Sequence, residues 1–310
     1  MVNVVRSDIE ALIEEEYNHS LLNAAASSST ALSAFRTVPM GAKVQNLPAL
    51  ATLPKASWVG ETAETRTKPT TKFTFDNKML TAAEVAAIIV LNEEDLEDAT
   101  ADLLSNAAQL GGQALGAALD EAILFGINKP AAWTSNDLFA AATASGNVFE
   151  VGAGENDLVG SVFQAAGAVD DSGANPGAFI ARNGFKYKLA NLRATDGTAI
   201  YLPSLSAAPG SVDNVAGLDA YWNKNGAWDN AKASALVVDP SLVLVGVRSD
   251  VSVKFLDQAT IDGVNLAEND QVALRFRARY AYTLADVIGA DGERVSPVAA
   301  VTPTATVPEG

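Results

Sequence analysis

The sequence contains no cysteine, which excludes disulfides, thiolate catalysis and cysteine-based zinc sites. It contains one histidine, His19, so histidine metal clusters are excluded too. A Ser-His-Asp triad needs an imidazole held by packing, and His19 falls in an acidic N-terminal stretch that offers no such setting. Positive charge is scarce: 21 Lys and Arg stand against 37 Asp and Glu, for a formal net charge of -16. Wrapping nucleic acid is driven by cations that displace counterions. An acidic chain is a poor wrapper, although an acidic wall can still enclose nucleic acid. No apolar run approaches the roughly 20 residues that span a bilayer. The opening MVNVVRSDIEALIEEEY is too acidic for a secretory signal, so a chain that is neither exported nor membrane-bound is expected.

Signatures of small-molecule chemistry are equally thin. Gly152 and Gly154 lack the third glycine of a dinucleotide loop, because position 157 is Asp, and no G-K-[ST] occurs. Asp171-Ser172-Gly173 matches the tripeptide of aspartic proteases, but a second copy is missing and the same residues are ordinary turn chemistry. The run Glu93, Glu94, Asp95, Glu97 and Asp98 reads as a helix start matched to the helix dipole, not a metal cluster. No catalytic, cofactor or metal site is expected.

What is present is a globular balance, with 48% apolar residues in 310. A chain of that length can bury roughly 75% of its unfolded surface. Residues 7–23 have the spacing of an amphipathic helix: Ser7 and Glu10 form a capping box, and Ile9, Leu12, Ile13, Tyr17 and Leu21 share a face opposite Glu14, Glu15 and Glu16. The following AAASSSTALS reads as a linker. The helix is either a detachable arm or a first helix packed on its own domain. Prolines at 39, 48 and 54 limit the next stretch to short extended pieces.

Residues 57–81, SWVGETAETRTKPTTKFTFDNKMLT, are rich in Thr and aromatics, and the spacing predicts a long hairpin turning near Lys68-Pro69. Its apolar residues are too few to bury both faces, so it should lie on something else. VAAIIVL at 85–91 predicts a buried strand. Asn92 then caps a helix running to Phe125, with Leu96, Leu103, Ala107, Leu110, Ala114 and Ala118 on its apolar face. At 1.5 Å per residue this is a rod of roughly 50 Å. Gly111 and Gly112 interrupt it, which a close neighbour or a bend would explain. A helix at 158–169, a strand at 178–181, a helix at 185–194 and a loop-rich stretch at 203–232 follow. From Ala235 the chain turns β. In VALRFRARYAYTLAD, Arg275, Arg277 and Arg279 alternate with Leu274, Phe276, Ala278 and Tyr280, giving a basic stripe suited to carboxylates across a subunit contact. SPVAAVTPTATVPEG shows no period of either kind.

Three stretches in this order resemble the major capsid protein of tailed phages, the Hong Kong-97-type fold: WVGETAETRTKPTTKFTFDNKML, NEEDLEDATADLLSNAAQLGGQALGAALDEAILFG and FIARNGFKYKLANLRATDGTAIYL. The resemblance implies an α+β capsid fold. Residues 1–56 would be an N-terminal arm, 57–82 an extended loop lying over a neighbouring subunit, and 83–156 a peripheral domain with a spine helix. Residues 157–247 would be an axial domain, 248–287 the returning peripheral strands, and 288–310 a tail. Trp58, Arg66, Lys68, Lys72, Phe73, Phe75, Lys78, Arg275, Arg277 and Arg279 would contact other subunits. Partners would be further copies in pentamers and hexamers, a portal, a separate scaffolding protein, and enclosed double-stranded DNA, in a virion assembled in the bacterial cytoplasm. An encapsulin-type nanocompartment shell and, in a different class, an acidic hydrolase using Asp171 are the alternatives. Some members of the family form an isopeptide from a loop lysine to a strand asparagine, assisted by a glutamate. Lys68, Lys72 and Lys78 could donate and Asn269 accept, but residues 272–284 hold no carboxylate, so no crosslink is expected.

Overall fold

The computed structural model describes residues 28–50, 75–94, 103–152, 158–192, 213–248, 252–288 and 294–304. In chain order the elements begin with helix α1 (Thr30–Ala34) and strands β1 (Arg36–Met40), β2 (Val44–Leu50), β3 (Phe75–Thr81) and β4 (Ala83–Asn92). Helices α2 (Leu103–Phe125) and α3 (Leu138–Ala144), strand β5 (Val148–Glu150), helix α4 (Leu158–Asp171), strand β6 (Ala178–Arg182) and helix α5 (Asn183–Ala190) follow. Then come β7 (Asp213–Val215), β8 (Leu218–Asn223), β9 (Ala235–Val238), β10 (Val243–Arg248) and β11 (Ser252–Leu256). Two short pairs, β12 (Thr260–Ile261) with β13 (Val264–Asn265) and β15 (Val287–Ile288) with β16 (Arg294–Val295), flank the long β14 (Gln271–Leu284), and β17 (Val298–Thr302) is last. The fold is α+β.

β14 organises a five-stranded sheet. It pairs antiparallel with β4 over Gln271–Tyr280, with β11 over Ala273–Arg277 and with β10 over Tyr280–Leu284. Because a strand has two edges, β10 and β11 must run along one and β4 along the other. β1 adds to β10 in parallel. The alternation expected for β14 is present: Leu274, Phe276, Ala278 and Tyr280 are buried on one face, and the arginines occupy the other. β4 was expected to be a buried strand. It is instead half-exposed, with every second residue from Glu84 to Asn92 open, because a helix covers only one side. The expected break at 247/248 falls inside β10, which belongs to this sheet.

The second sheet has six strands in the order β5-β17-β9-β6-β8-β7. Val162, Ala165 and Val169 of α4 pack on one face of it with Phe179, Val237 and Val301. On the other face Ile180, Leu236, Val238 and Ala300 join the main core. Burial on both faces makes the central strands continuous apolar runs with no period. That is why Val298–Thr302, read as part of a structureless tail, is a central strand of this sheet. It is also why part of the expected loop at 203–232 proves to be β7 and β8.

Helix α2 lies across the covered face of the first sheet. Residues 93 and 94 are helical, 95–102 lie outside the described residues, and α2 is continuous from Leu103. Its buried face matches the expected one only in part: Ala107 is buried and Ala118 half-buried, but Leu110 is 60% exposed and Ala114 is open, while Leu115, Leu119, Ala122 and Ile123 are buried instead. Small residues surround this helix, so apolar spacing alone does not choose a face. Gly111 chooses it. A Cβ there would sit 2.7 Å from Cδ2 of Phe276, so glycine lets the helix backbone rest on that ring. Gly126, at φ +68, closes the helix, and Ile127 N–H reaches back to Glu121 O at 3.2 Å.

Candidate inter-subunit surface

The face of the first sheet turned away from α2 carries Arg275, Arg277 and Arg279 in a row. Across from them on β4 stand Ile88, Ala86 and Glu84, and on β11 Lys254 pairs with Arg275. Glu84 Oε2 lies 3.4 Å from Arg279 Nη2 and 3.9 Å from Arg277 Nη1. Ile88 and Val90 are exposed on the same face. The Nε atoms of Arg275 and Arg277 are shielded from solvent, and neither has a hydrogen-bond partner among the described residues. The arginines thus form one surface, and among the described residues a neutralising carboxylate stands at one end of it.

Strands β2 and β3 form a separate two-stranded ribbon, register Val44↔Thr81 to Leu50↔Phe75. One leg therefore precedes Ser57, where the expected hairpin began. Trp58, Arg66, Lys68, Lys72, Phe73 and the Lys68-Pro69 turn lie outside the described residues. Phe75 opens β3 opposite Leu50. The ribbon is anchored at its base: Leu80 is fully buried with Met40, Ala82 and Ala281, and Trp133 Nε1 donates to Thr81 O at 3.1 Å. Lys78 donates to Asp286 at 3.0 Å, and Arg294 lies 4.0 Å from the same carboxylate. Beyond the anchor, Val44 and Met79 are exposed.

A third feature escaped the sequence. Asp120, in α2, is completely buried. Its Oδ1 accepts from Ser29 Oγ at 2.7 Å and Ala31 N–H at 2.9 Å. Its Oδ2 accepts from Thr30 N–H at 2.8 Å, Asn223 Nδ2 at 3.2 Å and Asn225 Nδ2 at 2.7 Å. Asn225 also donates to Ser28 O at 3.0 Å, and Ser29 Oγ caps α1 by accepting from Leu32 N–H at 3.2 Å. One carboxylate therefore ties the start of the described chain, the spine helix and the end of β8 together. Burial pushes its carboxyl above the usual carboxylate value, and the hydrogen bonds from Ser29, Ala31, Thr30 and Asn225 oppose that shift. On β14, burial alone pushes the Tyr280 hydroxyl up to about 12.

The expected absence of a crosslink gains a geometric reason. The sheet does hold a carboxylate that the sequence search overlooked, Glu84, but it faces Arg279. Asn269 caps the turn before Gln271, its Nδ2 donating to Asn265 O at 2.8 Å. Gln271 and Arg279 are eight positions apart on β14, about 26 Å at strand rise. Glu84 is thus too far from the asparagine of its own chain to assist it, and it is already engaged by guanidinium groups. Assembled particles boiled in detergent should run as a single 32.1 kDa band. A ladder of covalent multimers would overturn this.

Other candidates acquire ordinary roles. Asp171 is exposed at the end of α4, where Ser172 Oγ donates to Val169 O at 2.6 Å and Gly173 takes φ +84. His19 lies outside the described residues. Among the described residues no group of three or more acidic or histidine side chains could hold a metal, and no helix is long and apolar enough to cross a membrane.

A family model described as the phage capsid family matches residues 10–289. Among solved structures, one from Mycobacterium phage Adephagia is 44% identical, with a TM-score of 0.80 over 99% of this chain and 100% of that one. One from Microbacterium phage Oxtober96 is 39% identical, with a TM-score of 0.78 over 89% and 91% of the two chains. The capsid of a native GTA particle shares the fold at 16% identity, with a TM-score of 0.64 over 89% and 91%. No curated protein matches.

Proposed function

Because this chain belongs to the phage capsid family and is a major capsid shell protein, we propose that the β2–β3 ribbon and the residues it carries lie over a neighbouring copy, with the arginine face as a second inter-subunit contact. The observation behind this reading is the ribbon itself. It is anchored by Leu80 and Lys78 at its base, while Val44 and Met79 stand exposed. A two-stranded ribbon is marginal in water alone, and a partner that covers it removes the cost.

In this reading Trp58, Arg66, Lys68, Lys72, Phe73 and Phe75 belong to the overlying loop. The six-stranded sheet and α4 form the axial domain at the centre of pentamers and hexamers. The five-stranded sheet with α2 forms the peripheral wall, and it includes β10, which the sequence had assigned to the axial unit. Double-stranded DNA is enclosed without base readout, consistent with the net charge of -16. The portal and scaffold are separate proteins, and assembly takes place in the bacterial cytoplasm. An encapsulin-type shell and an acidic hydrolase are not favoured.

Electron microscopy of the purified full chain should show regular closed shells. A uniform monomer at high concentration overturns the reading. Particles from infected cells should hold DNA; enzyme cargo in its place would convert the assignment to a nanocompartment.

A further inference from the structure

A polar cleft of about 370 Å³ opens at the base of the ribbon. Lys78 enters it from β3, Asp286 from the turn after β14, and Arg294 from β16. Ser135, just before α3, Ser145, just after it, and Ser296, leading into β17, line it as well. The cleft therefore lies where the ribbon, the five-stranded sheet and the six-stranded sheet meet.

The charge of the lining selects what can enter. Lys78 Nζ is 3.0 Å from Asp286 Oδ2, and Arg294 Nη1 is 4.0 Å from the same oxygen. Asp286 is the one carboxylate lining the cleft among the described residues, so the lining carries one positive charge in excess. Outside the lining, Lys129 Nζ donates to Ser135 O at 2.8 Å and adds to the positive field. That balance disfavours a metal ion and favours an anion.

The hydroxyls point to an oxygen-rich anion. Ser296 is 7% exposed, and its Oγ is shielded from solvent with no hydrogen-bond partner among the described residues. A buried hydroxyl without a partner is costly. Ser145 Oγ accepts the Ser296 N–H at 3.2 Å, which leaves its own proton to donate. Water in the cleft would satisfy a hydroxyl but not the excess charge. A phosphate or carboxylate oxygen does both.

We propose that this cleft binds an oxyanion, with Lys78 and Arg294 supplying the charge and Ser145 and Ser296 the hydroxyl donors. Its volume falls within the range of small-molecule sites. The oxyanion is either a dissolved ion or the acidic side chain of a second copy. Because the ligating groups come from the ribbon and from both sheets, occupancy ties the base of the ribbon to the rest of the subunit.

The test titrates inorganic phosphate into the unassembled full-length chain at constant ionic strength, with chloride as the reference salt. Calorimetry should show saturable binding of one phosphate per chain, and the melting midpoint should rise by about 2 °C or more at saturation. Arg294→Gln should weaken binding about tenfold or more, as loss of a charge-assisted contact does. Ser296→Ala is the sharper variant. It removes an unsatisfied buried hydroxyl, so the melt without phosphate should stay the same or rise slightly, yet the affinity should fall about fivefold or more. No saturable binding would overturn the site. So would a melt raised equally in all three proteins, which is the general effect of an ion excluded from the protein surface. Repeating the titration on assembled particles separates the two sources. Phosphate bound there as well identifies a dissolved ion, whereas binding confined to the unassembled chain identifies a neighbour's carboxylate as the occupant in the shell. A chain that binds phosphate but forms no particles would sink the shell reading and leave this site standing.

Discussion

Replacing Asp120 with alanine is expected to destabilise the unassembled protein by about 3 kcal/mol or more, and to release residues 28–34 to protease. The carboxylate is the common acceptor for five donors contributed by Ser29, Thr30, Ala31, Asn223 and Asn225. A buried donor left without its acceptor costs about 1–3 kcal/mol, and water entering the vacated space will satisfy some of the five. Asp120→Asn should also destabilise. Whichever oxygen becomes an amide NH2 then meets at least two donors, and donor faces donor. A thermal melt and limited proteolysis check both variants. An unchanged melt with residues 28–34 still protected would show that α1 is held by packing of Ala31 and Ala34, not by this carboxylate.

The same group gives a pH dependence with a definite sign. In the unfolded chain Asp120 titrates near 3.8, and in the folded protein burial raises it. The folded state therefore takes up the proton first as pH falls. The stability this linkage contributes is complete below 3.8 and is lost as pH rises through the folded value. Asp120→Asn does not titrate at this position. The stability advantage of the natural protein over that variant should shrink as pH rises from 3.8 toward neutrality. Denaturant midpoints of the two proteins across that range test it, and an advantage that widened with pH would reverse the sign.

What the sequence revealed depended on whether an element has one covered face or two. β14 was legible because Phe276 and Arg277 alternate between core and solvent, and a period of two survives that geometry. β17 was not, because Val298, Ala299, Ala300 and Val301 are all buried, and a strand covered on both sides has no polar residue to mark its phase. The ribbon was half legible: Phe75–Thr81 carries strand-like residues, but its partner Val44–Leu50 contains Pro48 and lies 25 or more residues earlier. The Asp120 node left no local signal. Its donors come from Ser29, Thr30, Ala31, Asn223 and Asn225, roughly 90 residues or more from it in the chain. The acidic pair Asp120-Glu121 within the otherwise apolar run at the end of α2 was the only clue, and no spacing rule connects Asp120 to those partners.

Phe276→Ala should be among the most damaging single substitutions, and Gly111→Ala should depend on it. Phe276 is fully buried at the centre of β14, and α2 rests on its ring. Truncating a buried aromatic typically costs about 3–5 kcal/mol. Gly111→Ala works from the other side. The new methyl would stand 2.7, 2.8 and 2.9 Å from Cδ2, Cγ and Cε2 of that ring. A ring enclosed on all sides cannot swing away, so the helix must lift or the ring must leave its rotamer, at about 1–3 kcal/mol. Alanine's better helix propensity returns about 1 kcal/mol of this. Because the two sites touch, their effects should not add. With Phe276→Ala in place the methyl at 111 has room and fills part of the cavity, so the double variant should be more stable than the sum of the singles by about 0.5–3 kcal/mol. Denaturant unfolding of the four proteins before assembly measures this coupling. Strict additivity would mean that α2 slides over the sheet at little cost. The helix would then be a movable part of the shell wall, and the seat made by Gly111 and Phe276 would not be what fixes its height above β14.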